Sequence, residues 1–165
     1  TREMQRALWN EIADVVNEQL PMVGGIQHDG YKIACMAMIE GSKLGGKLDA
    51  EQLKHEIEAI GNHADQAFLY AHVACYMPNT TQKSEFIELA VQKTEGIDYT
   101  FDKFNRFTLC MQDSFVAAKS KVKEIGKKVM DSLKSDGNGA YSDYQRMLDL
   151  VRDHDEQLAD TMLDK

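Results

Sequence analysis

The sequence predicts an all-α fold, a single domain over residues 1–165 built as a bundle of six or seven helices. Three observations predict it. Only Pro21 and Pro78 interrupt the chain, so little forbids long helices. Apolar residues recur at spacings of three and four through most of the sequence, the period of a helix that buries one face. Capping residues and glycines, rather than tight hairpin turns, separate most of these segments. At 165 residues, with 43 % apolar and 28 % charged content, the chain is long enough to enclose one substantial core.

The first segment places Met4, Leu8, Trp9, Ile12, Val15, Val16 and Leu20 on helical spacing and stops at Pro21. "PMVGGIQHDGYK" follows, with three glycines and an Asp-Gly, and over residues 21–30 it reads equally as a loop or a short hairpin. "YKIACMAMI", residues 31–39, is apolar at nearly every position. Its alanines and methionines favour helix over strand. "GSKLGGK" ends it. Asp49 and Gln52 form a capping box, with Leu48 and Leu53 as its hydrophobic staple. Leu53, Ile57 and Ile60 are the buried stripe of the helix that follows. Gly61 suits a left-handed helix terminus, and Asn62 caps the next helix with Asp65 three residues on.

Ala67–Met77 is almost wholly apolar and is expected at the centre of the bundle. Pro78-Asn79-Thr80-Thr81 breaks the chain, and a helix through Phe86, Ile87, Ala90 and Val91 runs to Gly96. The longest element is expected over 101–134, ~34 residues and ~50 Å at the helical rise. Phe104, Thr108, Met111, Phe115, Ala118, Val122, Ile125 and Val129 form its heptad-like seam. "SDGNG" ends it, and Ser142 with Gln145 caps a last helix with Leu148, Val151, Leu158 and Met162 inward.

The formal net charge is −8. Such a chain is a poor candidate for direct nucleic-acid binding, because Lys and Arg contacts to phosphate supply most of that affinity. No stretch reaches the ~18 apolar residues that cross a bilayer. Cys35, Cys75 and Cys110 are odd in number and lack a CxxC pair, which argues against a disulfide framework or a zinc knuckle. With a polar start that lacks a signal-peptide core, these features lead to the expectation of reduced thiols and a cytoplasmic protein. The charge is segregated by sign. Between Lys119 and Lys134, six lysines face only Glu124 and Asp131, while the last helix is strongly acidic. Lys119, Lys121, Lys123, Lys127 and Lys128, with Asp149, Asp153 and Glu156, are therefore the expected interaction surface, and the acidic helix is the natural complement of the lysine face, within one subunit or across a dimer.

"HEIEAIGNHADQAFLYAHVACY", residues 55–76, carries three of the five histidines. Glu51, His55 and Glu58 have the one-turn spacing of helical metal ligands but lie opposite the stripe Leu53, Ile57, Ile60 and so face solvent. His63 and His72 are nine residues apart, which points them to opposite sides of one helix. No metal and no cofactor is expected. His72 is the one strongly polar side chain in "AFLYAHVACYM", and a buried histidine there needs a hydrogen-bond partner. Together with Met36, Cys75 and Met111 it makes the candidate lining of a small apolar pocket.

No nucleophile elbow, phosphate loop or dinucleotide fingerprint occurs. "SDGNGAYSDY" does not carry calcium-loop oxygens at the required positions. "LKSDGNG", an apolar helix running into an Asp-Gly turn, resembles the tellurite-resistance TerB-like group over some fifteen residues. "IEGSKLGGK" lacks the acidic residues of that group's paired turn, so no family is assigned.

The leading expectation is a non-enzymatic cytosolic interaction or regulatory protein that binds another protein, or itself, through helical faces. The alternative is a ligand- or cofactor-binding bundle with its pocket near His72. The third reading is an enzyme that uses His72.

Overall fold

Capping side chains and buried stripes divide the chain into short helices. The computed structural model describes residues 29–42, 47–134, 145, 148–149, 151–153 and 156–157. The helices are α1 (Asp29–Ser42), α2 (Ala50–Glu58), α3 (His63–Ala74), α4 (Thr80–Glu95), α5 (Thr100–Ala117) and α6 (Val122–Lys134), with a single 3₁₀ turn over Lys119–Lys121. The described residues from 145 onward are helical as well, and no strand occurs among the described residues. The expected helix over 4–20, residues 21–28 of the loop-or-hairpin segment, and Ser142, Leu158 and Met162 lie outside the described residues.

The caps follow the local chemistry. Asp49 accepts from the amides of Glu51 and Gln52, each at 3.1 Å. The box is one-sided, because the Gln52 amide group turns outward and donates to Glu56 at 2.9 Å. Asn62 accepts from the amides of Ala64 and Asp65 and donates to the Asp65 carboxylate at 3.0 Å. Gly61 is not in the left-handed region. Instead the Ala59 amide donates to His55 O at 3.1 Å and the Ile60 amide to Ile57 O at 3.0 Å, which closes α2, and the buried Gln66 side chain donates to Ile60 O at 2.6 Å. The Asp-Gly read as part of a loop or hairpin opens α1, which starts two residues earlier than expected, with Gly30 buried.

α3 is the central helix, as its composition predicts. Ala67, Leu69, Ala71, Val73 and Ala74 are fully buried, and Tyr70 packs edge-on against Phe86 of α4 with ring centroids 5.5 Å apart. α1, α2, α4 and α5 all pack on it. The small residues let the neighbours come close. At Gly41 of α1 an added Cβ would lie 2.6 Å from Tyr76 Cβ and 2.7 Å from its carbonyl. Two ion pairs tie α2 to α4, Lys54–Glu85 at 2.5 Å and Lys93–Glu58 at 2.6 Å.

The expected 34-residue helix does not exist. It breaks at Ala118, whose φ of −153° and ψ of 72° leave the helical region, so that α5 has 18 residues and α6 has 13. α6 then folds back along α5. Lys121 and Lys128 pair in order with Glu88 and Glu95, which sets α6 parallel to α4 and antiparallel to α5. Neither proline nor glycine marks the break. Its cause is burial, since Val122, Ile125 and Val129 are each 3 % exposed or less against α5 and its neighbours. A straight rod would carry that stripe beyond the core and leave it in water. Within α5, Phe107 rather than Thr108 takes the fully buried place, and the Thr108 hydroxyl donates back to Phe104 O at 3.0 Å.

Candidate functional site

His72 stands on the outer flank of α3 in a ladder one helical turn per step. Its ring stacks on Phe68 at 5.7 Å and 12°, and meets Tyr76 edge-on at 5.4 Å. It is half-buried, not enclosed as the sequence suggested. Asp113 of α5 lies near enough that the imidazole favours its ionised form, although burial dominates and pushes the Asp113 carboxyl up.

Cys75 sits beside the same aspartate, its sulfur 3.8 Å from Asp113 O and 3.9 Å from Ala71 O. Burial, reinforced by the negative charge of Asp113, pushes the Cys75 thiol up to about 12. The nucleophile of cysteine chemistry is the thiolate, so a thiol held this high is inert near neutral pH. Cys110, 1 % exposed, is pushed up to about 12 by burial as well. Among the described residues no three His, Cys, Asp or Glu side chains are grouped to hold a metal ion, and no helix is long and apolar enough to cross a membrane.

The four residues of the sequence-based pocket are not brought together. Met111 is fully buried in the core, His72 and Cys75 face Asp113, and Met36 is 37 % exposed on α1. Of the four, Met36 lines a cavity among the described residues. This is an open groove of about 610 Å³ between α1 and α2. Its floor is apolar, formed by Ile33, Met36 and Ala37 of α1 with Leu48, Leu53 and Ile60 across it. Its rim carries Asp29, Glu40, Asp49 and Glu56 against Lys32 and Lys47.

The groove had a signal in the sequence. "YKIACMAMI" is apolar nearly all round, which is more apolar surface than one packing face can cover. α1 buries Ile33, Ala34, Ala37 and Ile39 and leaves Tyr31, Met36 and Met38 exposed at 59 %, 37 % and 41 %.

The lysine stripe meets α4 rather than the last helix. Lys121 pairs with Glu88 at 2.5 Å and Lys128 with Glu95, across a smaller cleft between α4 and α6. Lys119, Lys123 and Lys127 point to solvent. Asp149 lies 3.9 Å from Arg152 on its own helix, and Asp153 and Glu156 are exposed. No ion pair joins these acids to the lysine stripe among the described residues.

Fold and site together define a chain of short packed helices that presents, among the described residues, a sizeable apolar groove. No protein-family model matches the chain, and neither a curated protein nor a solved structure does.

Proposed function

We propose that this chain is a non-enzymatic interaction protein that receives an amphipathic helix of another protein in the groove between α1 and α2. The observation that carries this reading is the groove itself, an apolar floor with exposed Met36 and a charged rim. Helix-in-groove recognition uses such a floor to take residues at i, i+3 or i+4, and i+7, and methionine adapts its shape to different partners. The α1 wall from Asp29 to Glu40 runs for ~16 Å, three helical turns. Three free cysteines fit a reducing, cytosolic setting. Self-association through the lysine stripe has less support, because Lys121 and Lys128 are consumed within the subunit.

The test is a titration of the ¹⁵N-labelled full chain with an uncharged amphipathic helical peptide of leucine and glutamine. Amide shifts confined to α1 and α2, and lost in Met36→Gln, are expected. Shifts that are absent, or spread over α4 to α6, would overturn the reading.

A second reading is a small apolar ligand in the same groove, whose volume lies in the range of ligand pockets. Native mass spectrometry of the purified protein decides it. Excess mass that disappears on denaturation supports a ligand, and the bare chain mass removes this reading.

A further inference from the structure

The outward face of α5 is an uncharged stripe. Phe101, Asn105, Leu109, Gln112 and Val116 recur at spacings of three and four, run for ~22 Å and drift by only ~60° around the helix. Phe101 and Val116 are 46 % and 66 % exposed. Gln112 is exposed too, and Asn105 and Leu109 are half-buried. The four charged residues of α5, Asp102, Lys103, Arg106 and Asp113, all fall outside the stripe. In a chain that is 28 % charged, a face that meets only water has no reason to exclude charge from five such positions. Opposite charges stand at its two ends. Asp98 precedes the helix and Lys119 follows it, both exposed and neither in an ion pair among the described residues.

We infer that this stripe is a self-association surface, on which α5 of a second copy packs antiparallel about a two-fold axis. The stripe complements its own reverse. With the axis between Thr108 and Leu109, Phe101 faces Val116, Asn105 faces Gln112, and Leu109 lies beside its own copy. A two-fold contact repeats each pairing twice, and the facing amides can each donate and accept. The same register sets Asp98 of one copy beside Lys119 of the other. A parallel pair would instead oppose Asp98 to Asp98 and Lys119 to Lys119, and would align the two helix dipoles. Charge therefore selects both the occupant, a second copy, and its direction. The surface is on a different helix from the α1–α2 groove and stands whether or not the groove takes a partner. One helix pair buries less than the ~1,200 Å² of a standard interface, so the dimer is weak and depends on concentration.

The test is sedimentation equilibrium of the full chain at low salt, from about 10 μM to about 1 mM. The mass is expected to rise from the monomer toward the dimer value. Val116→Lys should lower the association constant at least tenfold. Asp98→Lys and Lys119→Asp should each lower it about threefold to tenfold, and by less at ~1 M salt. The double variant Asp98→Lys/Lys119→Asp should restore it. Within one copy the two positions are ~30 Å apart along α5, so the rescue reports a contact between copies.

A monomer mass at every concentration would overturn the inference. Dimerisation indifferent to Val116→Lys, or lost in Met36→Gln, would place the contact elsewhere and overturn it as well. Dimerisation lost in both single charge variants and not restored in the double variant would overturn the antiparallel register.

Discussion

The Tyr70 hydroxyl donates a hydrogen bond to Glu58 Oε1 at 2.8 Å, joining the centre of α3 to the last turn of α2. Lys93 of α4 donates to the other carboxylate oxygen at 2.6 Å, so one carboxylate ties three helices together. The ring of Tyr70 is fully buried while Glu58 reaches solvent. Burial, and then the Glu58 carboxylate, raise the Tyr70 phenol far above its ordinary range, which keeps it a donor. Tyr70→Phe is expected to lower stability by ~0.5–1.5 kcal/mol, read as a shift of the urea midpoint with unchanged slope.

Lys93 holds the Glu58 carboxyl below its usual value, with Tyr70 adding to the effect and burial opposing it. A carboxyl depressed in the folded state contributes stability above its unfolded pKa and loses it as the pH falls through the folded value. Stability of the native chain should therefore decline as the pH falls from about 5, and Glu58→Gln should flatten part of that decline. Urea midpoints between pH 3 and 7 test this. A Glu58→Gln profile parallel to the parent would show the pairing to be of no consequence. Because Glu58 is 45 % exposed, solvent screening keeps the effect small.

Two glycines should respond oppositely to alanine. At Gly41 the new Cβ would meet Tyr76 Cβ at 2.6 Å and Tyr76 O at 2.7 Å, so α1 must move off the turn that follows α3. Gly41→Ala is expected to cost ~1–3 kcal/mol. At Gly61 nothing lies within 4 Å and the backbone is not left-handed, so Gly61→Ala should be neutral or stabilising by up to ~1 kcal/mol. Thermal melts of the two variants side by side check the contrast.

The break at Ala118 has a distance signature. Spin labels at the exposed positions Asp102 and Asp131 would be ~43 Å apart on a continuous helix. The folded-back arrangement should bring them to less than half of that, measured by double electron–electron resonance. Ile125→Ala, which removes a side chain 1 % exposed from the face that holds α6 in place, should cost ~2–5 kcal/mol in urea unfolding.

Cys75 and Cys110, both pushed up to about 12, should resist alkylation in the native protein at pH 8 and react fully in urea. Counting modified thiols by mass spectrometry gives the result directly. Rapid native labelling of Cys75 would contradict the burial that holds it protonated.

Much of the helical layout was legible in the sequence because it depends on neighbours along the chain. The side chains of Asp49 and Asn62 reach their own first-turn amides, Leu53 and Ile57 share a face by period alone, and the apolar run from Ala67 needs no partner to declare itself buried. Where the chain had to choose between neighbours, it was not legible. The three-and-four spacing through Phe104 and Val129 is the same whether one long helix or two folded ones bury it, and only the size of the core to be covered selects two. The lysines after Ala118 could have met any acidic face. That turn carries Lys121 and Lys128 to Glu88 and Glu95, and Asp149, Asp153 and Glu156 are left exposed.

The site divides the same way. Sequence by itself determined that α1 has more apolar surface than one face can hide, since that is composition counted around a helix. Tertiary structure decided that Met36 stays exposed beside Leu53 and Ile60 while Met111 vanishes into the core. It also decided that His72 lies on a flank rather than in a cavity. The reason is that a groove is a property of two surfaces: its walls, rim charge and depth come into being only when α1 and α2 pack on α3 without closing on each other.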